Sequence, residues 1–265
     1  MKVHDNLAAW WEARDALARR GDSLGFVPTM GALHAGHASL ISASVAGNAA
    51  TVVSIYVNPT QFNNPDDLSN YPDTLDADLA LAERLGADHV IRPTYDEVYA
   101  DDYRYQISEK ELSGILCGAH RPGHFDGVLT VVMKLLNIVR ADRAYFGEKD
   151  YQQFLLIRDM ARAFFLQTEI LACPTVREED GLALSSRNLN LSAAGRETAP
   201  TLNRLLRSGL DDEAVAGELA AAGFDVDYVV SREGRRFGAA SLMNGELAVR
   251  LIDNVGLGKI GRAHV

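Results

Sequence analysis

Two histidines and two glycines follow the short apolar run Leu24–Val27 within the segment Pro28–His37. His34 and His37 are three residues apart, so on a helical turn their imidazole rings face the same side. Two imidazoles directed at one point can donate hydrogen bonds to a phosphate whose oxygens gain charge in a transition state. The pattern favours chemistry at a phosphate group, and we expect Gly36 to leave room for an adenine or ribose against the backbone.

The same histidine pair has two less specific interpretations. Zinc sites use three or four protein ligands, and neither Cys117 nor Cys173 supplies the spacing that would complete one. We therefore predict no protein-ligated metal. A single histidine in a polar loop is usually an ordinary loop residue, but packing does not explain a pair in a glycine-flanked turn.

A second segment of this kind, Phe146–Gln153, follows another apolar run and enters a helical pattern. A glycine, a lysine and a helix N-terminus together form a favourable environment for phosphate. Lys149 would place a positive charge at the β- or γ-phosphate of a nucleotide. The alternative is an exposed lysine at a helix start, which is common.

Ser185, Ser186 and Arg187 lie in the polar segment Gly181–Asn188. Hydroxyls and a guanidinium suit the oxygens of a departing pyrophosphate, because arginine can bind two oxygens at once. The alternative is a surface turn capped by a serine. Taken alone, this segment favours the turn.

Neutral amides follow the predicted strand Thr51–Val57 at Asn58 and Gln61, and Gln153 offers a third. Such side chains can hold a hydroxy acid without tightly clamping the carboxylate that must react. A polar loop is the alternative for each of them. The segment Arg121–Phe125 is equally consistent with a structural turn and with a mobile flap that brings its arginine to phosphates.

These residues need strands and helices to position them, and the chain alternates the two. Short strands are predicted at Leu24–Val27, Thr51–Val57, His89–Arg92, Arg143–Phe146 and Glu169–Ala172, and helices at Asp76–Leu85, Asp126–Arg140 and Tyr151–Phe164. This rhythm predicts an α/β fold with a mostly parallel sheet and helices on both faces.

The pattern changes after Pro174. A polar segment, Thr175–Asn190, precedes a helix capped by Ser192 and a second helix at Asp211–Ala222. Two strands, Asp225–Val230 and Glu246–Ile252, flank a connection rich in glycine and arginine. We predict a catalytic domain at residues 1–175 and a smaller α+β lid domain at residues 176–265.

Composition excludes several functional classes. The chain has 265 residues, 47% of them hydrophobic, a formal net charge of −10 and a pI near 5.2. The acidic balance argues against nucleic-acid binding. Two cysteines, an N-terminus without an apolar signal region and the lack of a long apolar run predict a cytoplasmic protein with no membrane segment. Residues 260–265 match a reading frame of a common sequencing adaptor, so we expect the natural chain to end differently and to be somewhat longer.

Taken together, the segments around His34 and His37, Asn58–Phe62, Arg121–Phe125, Gly147–Gln153 and Leu184–Asn188 resemble the pantothenate synthetase family, the pantoate–β-alanine ligases. The resemblance covers most of the chain in the family order. It implies a Rossmann-like parallel sheet of the HIGH-type nucleotidyltransferase superfamily. It also implies ATP, with Mg²⁺ bound through its phosphates, pantoate and β-alanine as substrates, and a homodimer.

The resemblance also implies roles for individual residues. Catalytic roles fall to His34, His37, Lys149, Ser185 and Arg187, and pantoate contacts to Gln61 and Gln153, with Asn58 beside them. The residues implied at ATP are Met30, Gly31, Ala32, Leu33, His34, Ala35, Gly36, His37, Gly147, Glu148, Lys149, Asp150, Val176, Leu184, Ser185, Ser186 and Arg187. The family assigns His37 as an acid, but the attacking pantoate carboxylate has no proton to remove, so we expect both histidines mainly to stabilise charge.

Two positions depart from the family pattern: Leu184 replaces a usual methionine, and Asp73 replaces a usual arginine. Two other functions remain open. One is an adenylyltransferase that acts on another acceptor, which would need a more basic acceptor pocket. The other is a non-catalytic nucleotide-binding module, which would not need the whole set of phosphate-directed side chains.

Overall fold

The computed structural model describes residues 1–63, 68–69 and 71–257. The chain divides into two compact units, Met1–Pro174 and Thr175–Val265. The catalytic and lid roles that we assign to the two parts of the chain stay predictions. The segment at 260–265 lies outside the described residues.

Six parallel strands form the sheet of the first unit, in the spatial order β1-β4-β3-β2-β5-β6. They are β1 (Lys2–His4), β2 (Leu24–Thr29), β3 (Ala50–Ile55), β4 (His89–Ile91), β5 (Arg143–Gly147) and β6 (Glu169–Cys173). Strands β2 and β3 are buried over nearly their whole length, as in sheets covered on both faces. The predicted mostly parallel α/β sheet is confirmed.

The described helices of this unit are α1 (Leu7–Arg20), α2 (Ala35–Gly47), α3 (Leu75–Arg84), α4 (Tyr95–Val98), α5 (Cys117–His120), α6 (His124–Val139) and α7 (Tyr151–Ala163). Short 3₁₀ turns occur at Pro59–Gln61, Leu112–Gly114 and Glu148–Asp150. Our sequence analysis left out β1 and α1. Asn6 caps α1 by accepting from the backbone N–H of Ala9, and Gly21 ends it in the left-handed conformation, so both helix signals were present.

The strand order places the phosphate-directed segments together. From β2 the chain moves through β3 to β4 on one side of the sheet, whereas β5 and β6 lie on the other side. The direction of winding therefore reverses between β2 and β5, which are neighbours. Ligands of open parallel sheets bind at the carboxyl ends of the strands at such a reversal, and the segments of His37 and Lys149 start from those two ends.

The second unit is an α+β arrangement around an antiparallel sheet of three strands, β7 (Asp225–Arg232), β8 (Arg235–Asn244) and β9 (Leu247–Gly256). Its described helices are α8 (Ala193–Thr198), α9 (Thr201–Leu206) and α10 (Asp212–Ala221), with a 3₁₀ turn at Ser186–Asn190. Apolar side chains of α9, α10 and the sheet form its core.

The connection predicted between two strands is wrong, because β8 occupies it. Its arginine and glycine content suggested a loop. Arg236 is nevertheless buried, and its guanidinium donates to the carbonyl oxygens of Ser208 and Leu210 at 3.1 and 2.6 Å. A Cβ on Gly238 would lie 2.9 Å from Leu206 Cδ2, so the glycine allows α9 to pack closely on the strand.

Candidate active site

Two turns leave the sheet at the winding reversal, and we call Met30–His37 the first corner and Gly147–Asp150 the second corner. The first corner leaves β2 through Gly31 and Ala32, both in the left-handed conformation with φ of 80° and 50°. Thr29 Oγ1 accepts from the Gly31 N–H at 3.2 Å. The first corner is therefore a tightly hydrogen-bonded turn from its beginning.

His34 and His37 form the N-terminal cap of α2. His34 Nδ1 accepts from the Gly36 N–H at 3.0 Å, and His37 Nδ1 accepts from the His34 N–H at 3.3 Å. This reciprocal arrangement is a capping box in which imidazoles replace the usual hydroxyl and carboxylate. The two ring centroids are 4.2 Å apart. The structure therefore brings the two rings together, as the spacing predicts.

These hydrogen bonds fix where each neutral ring carries its proton. Because both Nδ1 atoms accept from backbone N–H groups, the proton must be on Nε2 in His34 and in His37. Each Nε2–H then remains as a donor for a ligand. The capping box makes the histidine pair a pair of neutral donors.

The electrostatic surroundings keep both rings neutral. The pKa of His37 is lowered to about 3, mainly by burial; the neighbouring His34 and Lys149 also lower this pKa, and Asp150 partly opposes them. Burial also lowers the pKa of His34 from its usual 6.5, with Lys149 as the next cause. Near pH 7 neither ring holds the extra proton that a general acid would give away.

Gly36 allows the His34 ring to pack closely against the backbone. A Cβ at this position would lie 2.7 Å from Cε1 and 2.9 Å from Nδ1 of His34. The His34 ring thus takes the space that a side chain would need, and the contact of Gly36 with a ribose or adenine stays a prediction. A side chain at residue 36 would displace the imidazole from its capping position.

The second corner carries positive charge. Glu148–Asp150 form a 3₁₀ turn that leads directly into α7, and the Asp150 side chain does not cap that helix. Lys149 Nζ lies 3.9 Å from Asp150 Oδ2, and the lysine side chain is only partly exposed. The influence of Lys149 on both histidines shows that the two corners share one electrostatic environment.

Gln61 ends the turn after β3, and its amide is oriented by two neighbours. Its Oε1 accepts from Asn58 Nδ2 at 3.0 Å, and its Nε2 donates to Met30 Sδ at 3.1 Å. Asn58 is 1% exposed, and its Oδ1 accepts from the hydroxyls of Tyr99 and Thr60 at 2.7 and 3.1 Å. These contacts favour a positioning role for Asn58 rather than direct contact with a substrate.

The segment Arg121–Phe125 is fastened to the same turn. His124 Nδ1 donates to the Gln61 carbonyl oxygen at 2.9 Å, and Arg121 Nη2 donates to it at 3.3 Å. Gly127 faces the turn closely, since a Cβ there would lie 2.4 Å from the Thr60 oxygen. The contacts support the structural interpretation of this segment over the flap that we also considered.

Two neighbouring glutamines at the start of α7 differ in their surroundings. Gln152 is buried, donates to the Leu112 and Ile115 carbonyl oxygens at 2.7 and 2.8 Å, and accepts from the Cys117 N–H at 3.1 Å. Gln153 is partly exposed, and its side chain has no hydrogen-bond partner among the described residues. Gln153 can therefore offer its amide to a ligand, as predicted, whereas Gln152 holds the preceding loop.

The remaining predicted residues lie in the second unit. The Val176 carbonyl oxygen accepts from the Leu184 N–H at 3.0 Å. Ser185 caps the following turn by accepting from the Arg187 N–H at 3.3 Å. Within the described chain, the Ser186 hydroxyl and the exposed Arg187 guanidinium have no hydrogen-bond partner. The same turn thus satisfies the capping interpretation and presents polar groups to solvent.

Comparison with known proteins decides the family. The family model for pantoate-beta-alanine ligase matches residues 2–256. The chain belongs to the pantoate-beta-alanine ligase family. It is 55% identical over 237 residues to a pantothenate synthetase of Bdellovibrio bacteriovorus, covering 89% of this chain and 93% of that protein. A pantothenate synthetase of Legionella pneumophila is 50% identical over 254 residues, 96% of this chain and 99% of that one.

Solved structures agree with this ligase assignment. A pantoate-beta-alanine ligase from Francisella tularensis, complexed with beta-gamma ATP and beta-alanine, has a TM-score of 0.89 and 42% identity, covering 97% of this chain and 98% of that chain. A pantothenate synthetase from Thermus thermophilus has a TM-score of 0.86 and 38% identity, covering 97% and 99%. The resemblance inferred from the motifs and the predicted fold class are both confirmed.

Sequence reasoning about this pantoate-beta-alanine ligase missed three residues that organise the site: Asp78, Tyr99 and His124. Each acts on a backbone or amide group of a predicted residue rather than on a ligand. The sequence carries one signal for them, because Asp78 lies on the face of α3 that includes the buried Ala82. A carboxylate on a buried helix face needs a partner.

The part of the chain that the structure describes contains neither a cluster of metal ligands nor a membrane-spanning helix. No group of three or more His, Cys, Asp or Glu side chains is placed to hold an ion there. In the same part of the chain, no helix is both long enough and apolar enough to span a bilayer.

Proposed function

We propose that this ligase joins pantoate to β-alanine in two steps, through a pantoyl adenylate. The pantoate carboxylate attacks the α-phosphorus of ATP, and the bond to pyrophosphate breaks. The β-alanine amine then attacks the activated carbonyl carbon, and AMP leaves. Family membership and the likeness to the Francisella tularensis ligase support ATP-dependent condensation.

The observation that carries the proposal is the pair of neutral Nε2–H donors in the first corner. The pantoate carboxylate is already ionised and has no proton to give up. The first step therefore needs stabilisation of charge on the phosphate oxygens rather than an acid or a base. A preorganised pair of donors, held by the capping box, meets that requirement without a charge of its own.

Lys149 would neutralise the charge of the departing pyrophosphate. The predicted contacts of Ser185, Ser186 and Arg187 with ATP serve the same end. Arginine and lysine do this differently, because the guanidinium binds two oxygens with fixed geometry and the ammonium acts as a compact charge. Both kinds of cation are present in the predicted set.

Mg²⁺ would enter with ATP rather than bind beforehand. This ion usually takes its ligands from phosphate oxygens, water and one or two carboxylates. Asp150 provides a carboxylate at the second corner, next to Lys149, so the residues present fit such an ion. When bound, it neutralises phosphate charge.

Gln61 and Gln153 would hold pantoate through its hydroxyl and carboxylate oxygens. A neutral amide binds an oxygen without the strong charge pairing that would make the carboxylate a poorer nucleophile. Asn58 and Tyr99 fix the orientation of the Gln61 amide. Both proposed pantoate ligands, Gln61 and Gln153, are neutral amides, which favours the ligase over an adenylyltransferase with a phosphate-bearing acceptor.

The second step needs a neutral amine, so β-alanine must lose its ammonium proton before it attacks. Both imidazoles hold their Nε2 proton and use Nδ1 for backbone contacts, so neither is available as a base. We propose that the proton goes to solvent as β-alanine binds. We also propose that the protein is a homodimer and that it is cytoplasmic, as the family resemblance implies. Sedimentation of the purified protein would test the homodimer.

The test is pyrophosphate release from ATP and Mg²⁺ with pantoate, with and without β-alanine, while pantothenate is followed by mass. We expect pantoate-dependent pyrophosphate, with pantothenate formed only after β-alanine is added. Pyrophosphate release that requires a different acceptor would indicate an adenylyltransferase. ATP binding with no pyrophosphate under any of these conditions would indicate a binding module and would contradict the proposal.

A further inference from the structure

We infer that Asp78 is a positioning residue for adenylate formation, because its carboxylate holds the first corner in the conformation that directs His34 and His37 at the phosphates. The inference deepens the proposed function and rests on it. Asp78 lies on α3, more than forty residues away in sequence from the corner that it contacts.

The geometry of the contact is specific. Asp78 is 3% exposed. Its Oδ1 accepts from the Leu33 N–H at 2.7 Å, and its Oδ2 accepts from the Ala32 N–H at 2.9 Å and from the Thr74 hydroxyl at 3.1 Å. Both carboxylate oxygens are thus committed, and two of the three donors belong to the first corner.

A buried carboxylate is costly unless charge-assisted hydrogen bonds replace its hydration. Among the described residues no lysine or arginine pairs with Asp78, so two backbone N–H groups and the Thr74 hydroxyl replace its hydration. Ala32 is held at φ 50°, a left-handed conformation that is strained for a residue other than glycine. Such strain persists where the surroundings determine the backbone.

The contact also determines what the first corner can offer to ATP. Successive N–H groups in a left-handed turn form a concave site that binds anions. Here the anion is the carboxylate of Asp78. The N–H groups of Gly31, Ala32, Leu33, His34 and Gly36 all have acceptors within the protein. The phosphates therefore meet imidazole Nε2–H groups rather than these five amides.

The experiment compares Asp78→Asn with Asp142→Asn. Asp142 is exposed, and its Oδ2 accepts from the Leu24 N–H at 2.7 Å at the opposite end of β2, so its variant changes a carboxylate–backbone hydrogen bond away from the first corner. The readouts are pantoate-dependent ATP–pyrophosphate exchange, the KM for ATP and the thermal midpoint Tm. A purely structural role for Asp78 would make the two variants lose activity in step with Tm.

We expect the exchange kcat of Asp78→Asn to fall about 100-fold, with less than about a threefold change in the KM for ATP, because misplaced donors weaken the transition state more than binding. Asp142→Asn should keep its kcat within about twofold of that of the parent protein, even where its Tm is lower. Equal kcat values for the two variants would overturn the inference. Absence of exchange in the parent protein would instead contradict the proposed function.

Thr74→Val provides a second test if Asp78→Asn does not fold. It removes one donor from the Asp78 carboxylate and keeps the charge. We expect a loss of about fivefold in exchange kcat, equivalent to about 1 kcal/mol, the value of a single hydrogen bond. Asp78→Glu, which keeps the charge but lengthens the side chain, should retain more activity than Asp78→Asn. An unchanged kcat in Thr74→Val would overturn the inference on its own.

Discussion

The first and second corners start from neighbouring strands, and we propose that they stabilise negative charge in different ways. In the first corner, backbone N–H groups are satisfied by Asp78 and by the two imidazoles, and the groups left for a ligand are neutral and directional. In the second corner, a 3₁₀ turn without a side-chain cap presents Lys149. The first corner therefore offers neutral donors in fixed orientations, and the second corner offers a positive charge.

The difference suggests a division of labour between the two corners. A neutral donor adds little attraction for an ion at a distance, but at contact it favours the oxygen that gains charge in the transition state. A lysine attracts phosphate before and after the reaction alike. We therefore expect first-corner variants to change kcat and second-corner variants to change both kcat and the KM for ATP.

The largest change in rate should come from a substitution in the second corner. Lys149→Met should lower the exchange kcat by about 1,000-fold and raise the KM for ATP, because a cation at a transferring phosphate can contribute this much. Lys149→Arg should recover part of the rate. Steady-state exchange kinetics measure both, with the exposed Lys110→Met as a control that leaves them unchanged. Full activity in Lys149→Met would show that the second corner does not stabilise charge in this reaction.

His34→Asn separates the catalytic role of the first corner from its structural role. Asparagine is among the best helix N-caps, so the variant should keep its Tm within a few degrees of the parent value. The exchange kcat should fall about 100-fold, the typical loss of one preorganised donor. A variant that is stable and fully active would show that the imidazole serves only as a cap.

Gln153→Ala and Gln152→Ala should differ in what they change. Removing the Gln153 amide should raise the KM for pantoate by about tenfold and leave Tm unchanged, since its side chain has no described protein partner. Removing Gln152 leaves the Leu112 and Ile115 carbonyl oxygens unpaired and should lower stability by about 1–3 kcal/mol. Pantoate kinetics and thermal unfolding distinguish the two variants. A stability loss in Gln153→Ala with a raised KM for pantoate in Gln152→Ala would contradict these roles.

The pH dependence of stability provides a further comparison. His37 has a pKa near 3 in the folded chain and an ordinary value of 6.5, so between these values the unfolded chain binds more protons and stability falls as pH falls. The contribution is at most about 1.4 kcal/mol per pH unit. His37→Gln keeps an acceptor at the capping position and should lose less stability from pH 6.5 to 4 in denaturant titrations. Parallel losses would show that His37 titrates normally.

The sequence predicted the parts of this structure that depend on local pattern. Apolar runs separated by helical periodicity identified five strands of the first sheet, and the capping position of His34 agrees with its place after a strand. The strand β8 was missed because Arg236 and Gly238 are unusual in strands. Both are explained only by the carbonyl oxygens and by the helix that they meet in the second unit.

The candidate site shows the same limit. Residue types and spacing predicted which side chains would face phosphates, which stays a prediction, but did not show which atoms of those side chains remain available. That Nδ1 of both histidines is occupied, that Asn58 is internal, and that Asp78 fills the concave turn all depend on contacts between distant segments. No single-sequence pattern encodes such contacts.

The most direct test of the account is the ¹⁵N NMR spectrum of the His34 and His37 imidazoles, measured from pH 5 to 8 and assigned with the single-histidine variants. We predict a proton on Nε2 and none on Nδ1 in both rings at pH 7. His37 should not titrate above about pH 5, and His34 should titrate below its ordinary value of 6.5. ATP should then shift the two Nε2–H resonances. A proton on Nδ1, or a pKa above 6.5 for either ring, would contradict the neutral donor pair.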